Sequence, residues 1–433
     1  MNTMTRKLLL ALGLFAAALA AQAGVRIEHW QAPSGARVYY VEARALPIVD
    51  VQVDFPAGAA ADPADKAGLA QLTRGLMDLG AGGMDENEVA TKLADIGARL
   101  GGGADTDRAS VGLRTLAMPE KREAAFAILR AVLAEPRFDA GIFERERSRT
   151  VAALRESLTR PETIAARAFW SALYGEHPYG RQPTVESLGR IAAGDLRAFH
   201  AARYTARSAV ISIVGDIGRA EAEALAQRLT EALPAGEPPA PVPAATLPPA
   251  GEVRLPHPAA QAHIQLGLPA LKRGDPDFYA LLVGNYSLGG GGFVSRLMKE
   301  VRDKRGFAYS VYSFFAPMQA AGPFQIGLQT KREQAGDALK VARDELLRFL
   351  AEGPSEEELA AAKANIVGSF PLRLDSNRKI LDNVAAIAFY GLPLDYLDTY
   401  ADKVRRVTAA DVRAAFARHV RPEHLVTVVV AGD

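Results

Sequence analysis

An arginine and a tyrosine seven residues apart, Arg302 and Tyr309, are the pair in this chain whose types and spacing best suit chemistry. They lie in GGGGFVSRLMKEVRDKRGFAYSVYSFF, residues 289–315. Phe293, Leu297 and Val301 recur at i, i+4 and i+8, which predicts a helix over 294–303 with that face buried. Gly306 ends the helix, and the alternation from Phe307 to Tyr312 predicts a strand over 308–315. Arg302 then stands at a helix end and Tyr309 on the strand after the turn. From there a guanidinium and a phenol can both donate hydrogen bonds to one carbonyl oxygen. The same spacing also fits a solvated arginine beside a packed tyrosine.

Other chemistries find no support. None of the seven histidines pairs with another at i, i+4, so neither HExxH nor HxxEH occurs. His257 and His263 are six apart in an extended region and read, like His177 in HPYG and His424 after Pro422, as structural residues. There is no G-x-S-x-G elbow. No Gly-Lys-Ser/Thr follows Gly289–Gly292, so these glycines read as a flexible connection or a close backbone approach, not a phosphate cradle. The chain has no cysteine, which excludes thiolate zinc sites and disulfides.

The elements that must position Arg302 and Tyr309 are written twice. Asp62-Pro63 recurs as Asp275-Pro276, VGLRT (111–115) as IGLQT (326–330), and the ending Val214-Gly215-Asp216 as Val430-Ala431-Gly432-Asp433. A period of about 215 residues means two copies of a domain, far longer than a solenoid repeat. Residues 234–251, with seven prolines, read as an extended semi-rigid spacer between them. The expected organisation is a 24–233 domain, the 234–251 linker and a 252–433 domain. Strands are expected at 38–41, 49–55, 109–116 and 209–214, then at 262–268, 308–315, 323–330 and 425–430. Longer helices intervene, giving an α+β fold in which each domain is a mainly antiparallel sheet with helices on one face.

Residues 1–23 read as a cleavable secretory signal: Arg6-Lys7, the apolar run 8–20, then Ala21-Gln22-Ala23. Removing it leaves 49 basic against 50 acidic residues, and no other apolar run reaches a membrane-spanning length. Near-neutral charge argues against a nucleic-acid partner. The expected location is the periplasm.

The glycine run, the Ser-Arg-Leu after it, and an Arg followed seven residues later by the Tyr of a G-x-A-Y-S turn resemble the C-terminal domain of insulinase/pitrilysin-type proteases. These are the inverted HxxEH zinc peptidases related to mitochondrial processing peptidase. The resemblance spans the whole mature chain, including the repeat, HPYG and the V-x-G-D domain ending. It implies that Arg302 and Tyr309 reach a peptide bond held at zinc. The first copy departs from the family where zinc chemistry belongs: for G-L-A-H-x-x-E-H it has Gly68-Leu69-Ala70-Gln71-Leu72-Thr73-Arg74-Gly75. Gln71 and Gly75 take the histidine positions and Arg74 that of the general base, and none of the three can serve. Glu156, in VAALRES, stands where the family keeps its distal Glu ligand, and one carboxylate does not hold a catalytic zinc.

No metal is therefore expected in this chain. The resemblance implies a homologous partner that carries HxxEH and zinc, forms a heterodimer with this chain, and receives Arg302 and Tyr309 in trans. It also implies that a peptide adds as a strand near Gly102, Gly103 and Ala104, although those residues read as well as a glycine-rich turn. The alternative function is a non-catalytic peptide-binding or scaffold protein of the same fold, like the core subunits of the respiratory bc1 complex.

Overall fold

The computed structural model describes residues 25–432; the expected signal segment, 1–23, lies outside the described residues. The first sheet contains β1 (Glu28–Gln31), β2 (Arg37–Glu42), β3 (Ile48–Phe55), β4 (Arg99–Gly101), β5 (Ala109–Leu116) and β6 (Val210–Gly215). Their spatial order is β1-β2-β6-β3-β5-β4. The second contains β7 (Gly251–Pro256), β8 (Gln261–Leu271), β9 (Ala308–Phe315), β10 (Gly322–Lys331) and β11 (Val426–Ala431), in the order β7-β11-β8-β10-β9. Without β1 the two orders correspond strand for strand, and each sheet has one parallel pair, β2 with β6 and β7 with β11, among antiparallel ones. This is the duplication read in the sequence. The two edge strands β4 and β9 occupy equivalent places.

The first half of the chain also contains α1 (Leu69–Leu76), α2 (Glu86–Asp95), α3 (Pro119–Ala134), α4 (Ala140–Ser157), α5 (Pro161–Tyr174), α6 (Val185–Arg190), α7 (Ala193–Arg203) and α8 (Arg219–Thr230). The second sheet is followed or interrupted by α9 (Phe278–Asn285), α10 (Ala335–Glu352), α11 (Glu356–Ser369), α12 (Asn377–Tyr390), α13 (Tyr396–Arg406) and α14 (Ala409–His419). Local chemistry sets several starts. Asp85 Oδ1 accepts from the Glu88 amide and Glu88 Oε2 from the Asp85 amide, each at 2.8 Å, closing a capping box on α2. Pro119 and Pro161 open α3 and α5, where a missing N–H costs nothing.

Val49, Val51, Val53 and Phe55 of β3 point into one core with Leu69, Leu129 and Leu225 from α1, α3 and α8. Ile264, Leu266, Phe324 and Ile326 do the same in the second domain with Leu281, Leu346 and Phe416. The α+β class holds, but helices do not keep to one face. Phe169 and Leu173 of α5, from the first domain, pack on Val426, Val428 and Val430 of β11. Leu381, Val384 and Ile387 of α12, from the second, pack on Tyr39, Val41, Val210 and Val214 of the first sheet. Each domain thus lends a helix to the other's second face, so the domains are held by core-like packing.

One buried carboxylate marks the seam. Asp107, 5% exposed, accepts from the phenol of Tyr179 at 2.5 Å, the phenol of Tyr390 at 3.0 Å and the Gln319 amide at 2.8 Å. Tyr179 in turn accepts from the Ala320 amide at 2.9 Å. The Tyr of the HPYG sequence is therefore an interdomain strut. Residues 234–250 contain neither helix nor strand, but they are a strap more than a free spacer. The Ala206 amide donates to Pro234 O at 2.8 Å, and His177 Nε2 and His424 Nδ1 lie 2.9 and 2.7 Å from the carbonyls of Pro243 and Pro248.

Under α12 the first sheet carries a polar stripe, Asp50, Gln52 and Asp54. Asp54 is fully buried, with Gln52 Nε2 at 3.0 Å and Arg108 Nη1 at 3.4 Å. Burial pushes its carboxyl up to about 7, against the pull of Arg108 and Gln52. The folded state then keeps a proton that the unfolded chain releases near pH 4. Stability falls as pH rises through that window, by up to roughly 4 kcal/mol from this group. Asp54→Asn is expected to remove that contribution, so the variant's melting temperature relative to wild type rises between pH 5 and pH 8. A pH-independent difference in parallel thermal melts would contradict the assignment.

Candidate functional site

Arg302 and Tyr309 are adjacent in space. The Arg302 guanidinium carbon lies 5.5 Å from the Tyr309 ring centroid and 4.8 Å from that of Phe293, so it sits between two aromatic faces. Its near carboxylate, Asp303, is 3.8 Å away. Tyr309 is 87% exposed and Phe293 68%. The expectation that Phe293 shares a buried face with Leu297 and Val301 is therefore wrong. Leu297 and Val301 are fully buried, but the helix expected over 294–303 is broken. A 3-10 turn, Gly292–Val294, is followed by a π-helical turn, Met298–Asp303. Ser295 between them is extended (φ −76°, ψ 155°), so the helical period does not run back from Leu297 to Phe293, which stays outside.

Two features of the second sheet aim the pair. Strand β9 pairs Val311 with Leu328 and Ala308 with Thr330, so Tyr309 and Ser310 together oppose Gln329. That is a β-bulge, the local device that re-aims a side chain at a sheet edge. The glycine run then seats the Arg302 segment on the same strand. A Cβ on Gly289 would come within 2.6 Å of the Ser313 amide nitrogen, so only glycine permits this approach. Asn285 Nδ2 donates to Ser313 O at 3.0 Å and Ser313 Oγ to Asn285 Oδ1 at 2.7 Å, fixing the register. Of the two sequence readings of the glycines, close approach applies.

At the equivalent edge of the first sheet, α1 carries the altered zinc motif. Gln71 and Gly75, one turn apart, are exposed, and a Cβ on Gly75 would meet nothing within 4 Å. Arg74 turns inward and is 3% exposed. It donates from Nε to Ser110 O and from Nη2 to Gly101 O, both at 2.5 Å, with Asp78 at 3.7 Å. The arginine at the general-base position is thus a brace between α1 and the edge strand β4. Glu156 is exposed on α4.

Gly102 follows β4 at φ +106°, a left-handed conformation suited to glycine. The Gly103 carbonyl accepts from the Ser110 amide at 2.8 Å, and Ala104 bridges to Ala109. With Gly103 facing β5, alternation turns the backbone groups of Leu100 and Gly102 to the open edge. Arg74→Ala is expected to cost about 2–4 kcal/mol in denaturant unfolding, because two charge-assisted bonds are lost. It should also speed amide exchange over 99–103 and confer no peptidase activity. Unchanged exchange there would contradict the bracing role.

Among the described residues, the one group of three His/Asp/Glu ligand atoms close enough to share an ion is Asp275, Asp277 and His419. It belongs to the second domain, away from the Gln71 to Gly75 motif in sequence and fold. Arg418 already fills the cation's place, donating to both Asp277 oxygens at 2.7 and 2.8 Å.

Residues 37–184 match the family model described as insulinase (peptidase family M16), and residues 190–366 the model described as peptidase M16 inactive domain. The chain belongs to the insulinase (M16) peptidase family. A solved M16 inactive domain from Pseudomonas fluorescens is 36% identical, with a TM-score of 0.90 over 94% of this chain and 98% of that one. A Helicobacter pylori relative named non-peptidase homolog YmxG is 25% identical over 91% of both chains. An uncharacterized zinc protease of Streptomyces coelicolor is 31% identical over 57% of this chain and 55% of its own length. The chain thus spans about half the length of zinc-protease relatives of that kind. As an M16 homologue whose similar proteins include an inactive domain and a non-peptidase homolog, it is a metalloprotease homologue that lacks its own zinc-motif side chains.

Sequence reading missed three working residues. Asp107, in the polar loop T-D-R, has no local pattern to mark it. Phe293 was assigned to the core by its spacing. Arg74 was noticed only for the side chain it replaces.

Proposed function

We propose that this chain is the non-zinc subunit of a two-chain zinc metallopeptidase, exported to the periplasm by segment 1–23. Its Arg302 and Tyr309 act on a peptide held at the partner's zinc. The observation that carries the reading is the pairing of a half-buried Arg302 and an exposed Tyr309 on a bulged edge with an α1 motif whose general-base position is occupied by an internal brace. A guanidinium flanked by two rings keeps most of its donors free for an acceptor brought from outside. The Tyr309 phenol, almost wholly in solvent, is open to the same acceptor. Zinc and its bound water come from an HxxEH partner and supply the nucleophile. This chain holds the peptide carbonyl and stabilises the charge that develops on its oxygen. The open edge at Leu100 and Gly102, with Gly103 and Ala104 anchoring the segment to its neighbours, offers backbone groups to an extended peptide.

Co-expression with a secreted HxxEH homologue from the same source tests the pairing. The expected result is a stable one-to-one complex on gel filtration, with zinc only in the partner. Separate elution of the two chains at micromolar concentration would count against it. The second reading, a non-catalytic peptide-binding or scaffold protein, is favoured by the near full-length similarity to the non-peptidase homolog of Helicobacter pylori. It predicts peptide binding without turnover and no HxxEH chain in the purified assembly.

A further inference from the structure

The largest cavity described, about 650 Å³, lies on the second domain between the start of α9, the end of α12, and helices α13 and α14. Nothing in the Arg302/Tyr309 site accounts for it. Its charged lining divides into groups that are committed to the frame and groups that are not. Asp277 is held by Arg418 at 2.7 and 2.8 Å and by His419 at 3.0 Å. Asp411 caps α14, accepting from the Thr408 amide and hydroxyl at 2.8 and 2.7 Å. Asp275 accepts from the Asp277 amide at 2.9 Å. By contrast, among the described residues Arg273, Lys403 and Arg406 have no carboxylate within ion-pair distance and no side-chain hydrogen-bond acceptor. The Arg273 Nε is moreover shut off from solvent without a partner. Leaving a buried donor unpaired is costly, which sets Arg273 apart from the committed groups.

The rest of the lining is flat and apolar, with Phe278, Tyr279 and Tyr396 as its rings. Lys403 Nζ lies 5.6 Å from the Tyr279 centroid and the Arg273 guanidinium 5.1 Å from that of Tyr390. Four cations against three carboxylates leave the lining one unit positive. That balance matches a single negative charge, while a dianion would meet the fixed carboxylates.

We propose that this cavity binds a carboxylate carried on an aromatic body, with Arg273, Lys403 and Arg406 receiving the anion and the rings receiving the flat group. Such a group occurs at the C-terminus of a peptide ending in an aromatic residue and in free aromatic acids. The site is independent of the peptidase reading.

Titration calorimetry of the full mature chain with N-acetylphenylalanine, phenylacetate and N-acetylphenylalaninamide tests it. Dissociation constants on the order of 0.1–1 mM are expected for ligands of this size. The amide should bind at least tenfold more weakly than its acid. Tighter binding of N-acetylphenylalanine than of phenylacetate identifies a peptide end as the source, and the reverse order a free acid; either supports the site. Lys403→Gln and Arg406→Gln, on exposed or half-exposed positions, should each weaken binding about tenfold, while Arg302→Ala leaves it unchanged. Absence of binding at 10 mM, equal binding of acid and amide, tighter binding of a phosphate dianion such as phosphotyrosine, or indifference to both substitutions would overturn the proposal.

Discussion

Arg302→Ala is expected to lower turnover by the reconstituted two-chain peptidase about 100-fold or more, with little change in the affinity of the two chains. An oriented donor to a developing oxyanion is typically worth roughly 3 kcal/mol, and Arg302 is placed as such a donor. Its guanidinium is held between Phe293 and Tyr309 on a π-helical turn whose inner residues are fully buried. Tyr309→Phe removes the hydroxyl and keeps the ring over Arg302, so it should retain the arginine's position and lose a smaller part of the rate, about tenfold. The loss should fall on kcat more than on KM, because the contact is strongest when charge builds on the carbonyl oxygen. Arg302→Lys keeps the charge but not the planar fork, and should recover little. If both Arg302→Ala and Tyr309→Phe leave the pair at full activity, the role assigned to them is wrong.

The largest expected effect on stability comes from Asp107→Ala. Three donors converge on this carboxylate, two phenols and one amide, and they come from both domains. Removing it leaves the Tyr179 phenol unpaired where it is closed to solvent, and the half-buried Tyr390 phenol and the Gln319 amide without their acceptor. At about 1–3 kcal/mol for each unsatisfied group, with some relaxation, the loss is roughly 4 kcal/mol. For a structure of this size that lowers the melting temperature by roughly 5 °C. Asp107→Asn keeps one acceptor oxygen and should be intermediate. The seam also predicts where the damage appears: the strap at 234–250 becomes cleavable by proteases before either core. An Ala variant that melts with wild type and resists proteolysis as wild type does would show that the exchanged helices α5 and α12 hold the domains unaided.

How far the sequence showed this depends on whether the signal was local. Strands β5 and β9 begin and end where their alternation does, and α3 and α5 begin at their prolines. The capping box on α2 needed only Asp85 and Glu88. The duplicated strand order followed from three short repeated phrases. Strands β1, β4 and β7 were missed because they are edge strands, short or polar, stabilised by their neighbours more than by their own residues. The contact of Arg74 with Gly101 and Ser110 spans 27 and 36 residues, which no local pattern encodes. The same holds for the exchange of α5 and α12, whose apolar faces are legible but whose destinations are not. Phe293 shows the opposite failure, a clear period that the extended backbone at Ser295 interrupts.

The central claim is that the chain contributes half of a peptidase site and cannot act without the other half. It is tested most directly by measuring turnover of a fluorogenic unstructured peptide by three preparations: this chain alone, a secreted HxxEH homologue alone, and the two mixed with one zinc equivalent. The account predicts negligible turnover by this chain, at most weak turnover by the homologue, and at least a 100-fold gain in the mixture that saturates at one-to-one stoichiometry. Full activity of the homologue alone, unchanged on adding this chain, would contradict it.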